Sequence, residues 1–161
     1  MLSILREADS EIERYRANPG SVRQTFVTPL KDLPRFVATV LASFSFERGF
    51  LATDQVVFEP LHLLELLADH AIPVENPWQF RLVAEGKESI AMLLEAVLSD
   101  WVDFLLVPVP TSFAIYADHD EYITFFAVSE AQLVAVTSQI ERAGFEIAPH
   151  YLRPSSGKIW R

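Results

Sequence analysis

Two places in this 161-residue chain gather side chains able to do chemistry. The first is Asp118-His119-Asp120-Glu121-Tyr122. Two aspartates one residue apart can present oxygens to a divalent cation, and the imidazole between them can carry a proton. An EF-hand loop would continue with a third ligand, a glycine and a distant glutamate, and none is in register. The same residues suit a turn tip, where Asp bonds nearby backbone and charge stays solvated. The second place is His62, Glu65 and Asp69, spaced i, i+3 and i+7. On a helix they share a face opposite Leu64 and Leu67, and a His–carboxylate set there can hold a metal or act as acid and base. The competing reading is the wet face of an amphipathic helix. His70 falls off that face, and the His-Glu-x-x-His zinc order is missing.

Other chemistries find no support in the spacing. Ser155-Ser156-Gly157-Lys158 ends like a phosphate loop but lacks the upstream glycine and a following Ser or Thr. No Gly-x-Ser-x-Gly elbow and no dinucleotide fingerprint occurs among the five glycines. With no cysteine there is no thiolate nucleophile, disulfide framework or thiolate zinc site. The sequence therefore calls for no cofactor and no resident metal.

The elements that position these residues follow from periodicity. Residues 2–17 read as an amphipathic helix with Leu5, Ala8, Ile12 and Tyr15 inward, stopped by Asn18-Pro19-Gly20. A strand over 21–27 places Val22, Gln24 and Phe26 on one face. Asp32 is expected to cap a helix carrying Pro34 in its first turn and a stripe of Leu33, Phe36, Val37, Val40, Leu41 and Phe44. A strand is expected over Asp54–Phe58, then a helix from Pro60 to about His70 with Leu61, Leu64, Leu67 and Ala68 inward. After a connector containing Pro73, Pro77 and Trp78, a strand over Gln79–Ala84 precedes the clearest helix, whose stripe is Ile90, Leu93, Leu94, Val97, Leu98 and Trp101. Three strands follow, over 103–109, 112–117 and 122–128, with links short enough for antiparallel hairpins. Ser129 and Gln132 form a capping-box pair for a last helix that Gly144 stops. A final strand over 145–152 and a loose tail from about 153 complete the chain. The expected fold is α+β, a single domain over 1–161, with helices packed on a mostly antiparallel sheet. The strand set 112–128 is apolar on both faces, so both must be covered, the second by a helix or by another copy of the chain.

Composition narrows the function. Thirteen Lys and Arg stand against 22 Asp and Glu, for a net charge of −9, and half the residues are hydrophobic. Apolar content this high argues against disorder, and a mean hydropathy of +0.20 leaves room for a partner-facing surface. The charge is segregated. Residues 1–48 balance to +1 and 131–161 to +2, whereas 49–130 hold 14 acids against Arg81 and Lys87 alone. Carboxylates in that middle region must meet water, the basic ends of the chain or a basic partner, because burying one unpaired costs several kcal/mol. Arg81 and Lys87 are placed to pair with acids such as Glu85 or Glu88. Nucleic acid is a poor fit for this charge, and no stretch approaches the roughly 18 apolar residues of a membrane span. The start of the chain lacks a signal-peptide core, so a cytoplasmic location is expected.

The resulting expectation is a small acidic soluble binding protein that docks a basic protein partner through Asp118–Tyr122 and the His62, Glu65, Asp69 face. Small acidic inhibitors of basic nucleases, such as immunity proteins, offer the analogy, which rests on size and charge alone. The alternatives are a metal-assisted hydrolase or transferase using Asp118 and Asp120 or His62, Glu65 and Asp69, and a structural homodimer.

Overall fold

The structure, a computed structural model, describes residues 2–4, 9–43, 45, 47–110 and 113–151. Its elements in chain order are β1 (Leu2–Ile4), α1 (Asp9–Ala17), β2 (Val22–Val27), α2 (Leu33–Ala42), β3 (Arg48–Gln55), α3 (Leu61–Asp69), β4 (Arg81–Glu85), α4 (Lys87–Ser99), β5 (Asp103–Val109), β6 (Phe113–Ala117), β7 (Tyr122–Ala127) and α5 (Glu130–Arg142). The seven strands form one antiparallel sheet in the order β1-β4-β3-β5-β6-β7-β2. The α+β expectation holds.

Two neighbouring rows of the sheet show how it is buried. Leu82, Leu51, Leu106, Ile115 and Phe125 lie side by side across five strands and face the main core. Helices α2, α3, α4 and α5 supply the other half of that core through residues such as Phe36, Leu67, Leu93 and Ile140. The next row, Ala52, Leu105, Tyr116, Thr124 and Thr25, faces the opposite side. Its apolar part packs with Ile12 of α1, and its polar end closes through a buried Thr25–Thr124 hydroxyl bond of 2.8 Å. The second face is thus buried within the chain, with α1 as its helical cover. Tyr15 of the same helix accepts the Gly20 N–H at 3.2 Å, and burial pushes its phenol up to about 12.

Several expectations need correction. Leu2–Ile4 is not the start of a helix but an edge strand on β4, and α1 begins only at Asp9. Leu5, Ala8 and Phe44 lie outside the described residues. The strand placed at Asp54–Phe58 is β3, running Arg48–Gln55. Being central and covered on both faces, it shows no alternation to read. Asp32 stands at the α2 N-cap but makes no capping bond, since its carboxylate accepts from Arg35 Nε at 2.6 Å. In α3 the buried residues are Leu63 and Leu67, while Leu61 and Ala68 are exposed. The final strand shrinks to one bridge, Phe26 to Ile147, with residue 152 onward outside the described residues.

Three helices end alike. After α5, Gly144 at φ 89° lets Phe145 N–H reach the Ile140 carbonyl at 3.3 Å and its own N–H reach Glu141 at 2.9 Å. This is a Schellman turn, and Gly144 is the glycine that such a turn favours. After α3 the left-handed residue is Ala71 (φ 54°), with Ile72 N–H on the Leu67 carbonyl at 2.9 Å. After α4 it is Trp101 (φ 60°), with Val102 N–H on the Val97 carbonyl at 3.2 Å. Trp101 therefore leaves the helical stripe assigned to it by periodicity, and it carries a backbone cost of about 1–2 kcal/mol.

Candidate functional site

The Trp101 turn reverses the chain from α4 into β5 and leaves an aspartate on each side of it. Both are buried, Asp100 and Asp103 each being 5% exposed. Each binds a histidine in the same way. Asp100 Oδ1 accepts the backbone N–H of His62 at 3.1 Å and meets its Nδ1 at 2.6 Å. Asp103 Oδ1 accepts the backbone N–H of His119 at 2.7 Å and meets its Nδ1 at 2.8 Å. The two polar clusters of the sequence are thus tied to opposite ends of one turn.

At the first end, Asp100 also accepts Leu63 N–H through Oδ2 at 2.8 Å. The α3 N-cap is Pro60, whose side chain cannot accept a bond, and Asp100 does that work from 37 residues away. His62, Glu65, Leu66 and Asp69 then line one wall of a groove, and Met92, Glu95, Ala96 and Ser99 of α4 line the other. The groove is open and encloses about 290 Å³. The sequence-predicted trio does share a face, as its spacing requires, and Glu95 joins it from α4.

At the second end, the hairpin tip is built around Asp118. Its Oδ1 accepts Asp120 N–H at 2.9 Å and Tyr122 N–H at 3.4 Å, and its Oδ2 accepts the Tyr151 hydroxyl. The Tyr122 and Tyr151 rings stack at 4.0 Å between centroids. Glu121, at φ 69°, gives its carbonyl to Thr28 N–H at 2.8 Å. Asp118 is therefore committed to holding the turn. His119 Nε2 lies 3.9 Å from Asp120 Oδ1. The bond to Asp103 raises the His119 imidazole above its ordinary value, and the nearby Asp103, Asp120 and Asp118 charges add to that. Burial raises the Asp103 carboxyl above its ordinary value, and the His119 bonds pull it partly back. An imidazole oriented through Nδ1 can move a proton at Nε2. The small cavity beside the tip, lined by Thr28, Trp101, Asp118 and Glu121 among others, encloses about 10 Å³, room for no more than a water.

Among the described residues, no group of three or more His, Asp or Glu side chains is placed to hold a metal ion. Sequence reasoning missed Asp100, Asp103, Glu95 and Tyr151. The signal for the first two was present as acids bracketing Trp101-Val102 where a helix period gives way to a strand period.

The arginines near the start pair within their own segment, as Arg14–Glu11, Arg16–Glu13 and Arg35–Asp32. Arg81 donates to the Thr53 and Phe80 carbonyls at 3.2 and 3.1 Å. Residues 54–80 hold five acids and no Lys or Arg. Of seven exposed large hydrophobics among the described residues, Val57, Phe58, Leu61, Val74 and Trp78 fall in this same stretch. No described helix is long and apolar enough to cross a membrane. Comparison with protein-family models, curated proteins and solved structures returns no match.

Proposed function

We propose that this is an acidic binding protein that docks a basic protein partner through the α3–α4 face, an immunity- or inhibitor-type role being one concrete form. One observation carries the reading: the α3–α4 groove is walled by Glu65, Asp69 and Glu95 with no Lys or Arg among its described lining residues, and the exposed Phe58 and Leu61 shortly precede His62 in the chain. Carboxylates around an apolar floor speed encounter with a cationic surface and select for it, while apolar contact supplies affinity. The hairpin tip, with Asp120 and Glu121 exposed, is a second contact point for the same partner.

The test is affinity capture from the native cell with three forms of the protein. They are the wild type, Glu65→Lys/Asp69→Lys, and Glu130→Lys/Glu141→Lys on α5 as a control of equal charge change. A basic protein held by the wild type and the α5 control, lost with the α3 variant and eluted by about 0.5 M salt, supports the proposal. Equal retention by all three forms overturns it.

The second reading is a metal-assisted hydrolase or transferase, favoured by the orientation of His119 on Asp103. Calorimetric titration with magnesium, manganese and zinc ions tests it. Stoichiometric binding lost in Asp120→Asn, which keeps the Asp118 bonds that hold the turn, would move the assignment to that class.

A further inference from the structure

We infer that the partner element seated in the α3–α4 groove is a basic amphipathic helix; the inference rests on the binding reading above and names what fills the site. The two walls have the same grammar. Each contributes residues at i, i+3, i+4 and i+7, so the groove runs along both helices for two turns, about 10 Å at 1.5 Å per residue. Leu66, Met92 and Ala96 are its apolar members, and Glu65, Asp69 and Glu95 are its charges.

A helix suits this shape and an extended strand does not. Both walls are helix side chains, so the groove offers no ladder of free backbone N–H and C=O groups. An added strand would leave its own backbone unpaired there, whereas a helix satisfies its backbone internally. The occupant presents an apolar seam to Leu66, Met92 and Ala96, with Lys or Arg flanking the seam to meet the carboxylates. The groove also has an apolar anchor point at one end. His62 is bonded to Asp100, the next residue is Trp101, and Phe58 packs edge-on against Trp101 at 6.4 Å between centroids. Phe58 is nonetheless 56% exposed. A bulky apolar residue at one end of the incoming helix covers it.

The experiment uses the full chain and three synthetic peptides of about 18 residues built from Lys, Leu and Ala, matched in Lys and Leu content, the third with one Ala replaced by Pro. One places Leu at i, i+3, i+4 and i+7, one scrambles the order so that no seam forms, and one breaks the seam with a central Pro. Affinity is read by fluorescence anisotropy at about 50 mM salt. The expected result is binding of the seamed peptide at least about tenfold tighter than the other two. Met92→Lys should erase that preference, and Phe58→Ala should weaken the seamed peptide about fivefold without changing the scrambled one. Phe58 is more than half exposed, and an unchanged thermal melt of Phe58→Ala shows that the weakening is not loss of fold, which keeps the test independent of Met92. Equal binding of seamed and scrambled peptides, sensitive to Glu65→Lys/Asp69→Lys, overturns the helix and leaves electrostatic docking standing. Peptide binding indifferent to Glu65→Lys/Asp69→Lys overturns both.

Discussion

Asp103 holds His119 by two hydrogen bonds to a single oxygen, 2.7 Å from the backbone N–H and 2.8 Å from Nδ1. The contact fixes the ring and the start of the hairpin tip together, and it links that tip to the first residue of β5. It also sets a direction for pH. His119 binds its proton more tightly in the folded chain than its ordinary value of 6.5 implies. Its contribution to stability is therefore fully present below about pH 6.5 and is lost as pH rises through the elevated folded value. Asp103, also raised, acts with the same sign in a lower window, above its ordinary 3.8. The urea midpoint should fall from about pH 6 to about pH 9, and NMR titration should place His119 above a free imidazole. Asp103→Asn should return His119 toward 6.5 and flatten the slope; an unchanged His119 titration in that variant would refute the assignment.

Asp100 should prove one of the most sensitive polar positions. It is buried and receives two backbone N–H groups of α3 besides the His62 ring. Asp100→Ala leaves those donors without an acceptor and should cost about 2–3 kcal/mol in urea unfolding. His62→Ala removes only the exposed ring and should cost under about 1 kcal/mol. Equal losses from the two changes would mean that the helix cap is not the main role of Asp100.

Ala71 sits exposed at φ 54° in the turn after α3. A glycine there removes the left-handed penalty, offset in part by its greater freedom when unfolded. Ala71→Gly should stabilise the protein by about 0.5–1 kcal/mol, a gain visible in thermal melts.

Gly20 allows a close approach that no other residue permits. A Cβ there would stand 2.7 Å from the Ala127 carbonyl oxygen and 2.8 Å from its N and C atoms. The obstacle is the backbone of β7, which cannot swing aside as a side chain can. Gly20→Ala should cost about 2 kcal/mol and lower the melting temperature accordingly.

The legibility of the sequence depended on whether each signal was local. Helix α4 as far as Leu98, strands β5 to β7 over their described residues (Ser112 lies outside them) and helix α5 stand where periodicity puts them, and Ser129 accepts Gln132 N–H at 3.3 Å as a capping pair should. Strand β3 was misplaced because its residues are buried on both faces and the alternation that marks a half-buried strand is absent. Of the three Schellman turns, the one with a glycine was read and the two built on Ala71 and Trp101 were not. In the candidate site, the shared face of His62, Glu65 and Asp69 followed from helical spacing. The pairing of His62 with Asp100 and of His119 with Asp103 did not, because those partners are 38 and 16 residues apart and meet only when the Trp101 turn forms.

The bridge at Ile147 lies along one border of the sheet, beside β2. Val27 donates to the Glu146 carbonyl at 2.9 Å, and Ala148 donates to the Thr25 carbonyl at 2.9 Å. Those contacts occupy two outward backbone groups, Val27 N–H and the Thr25 carbonyl, near the end of the last strand of the sheet, where an open border can recruit a strand from a neighbouring chain. Trimming the chain before Phe145 removes this strap together with the buried Phe145 ring, and the expected outcome is concentration-dependent association, read by light scattering.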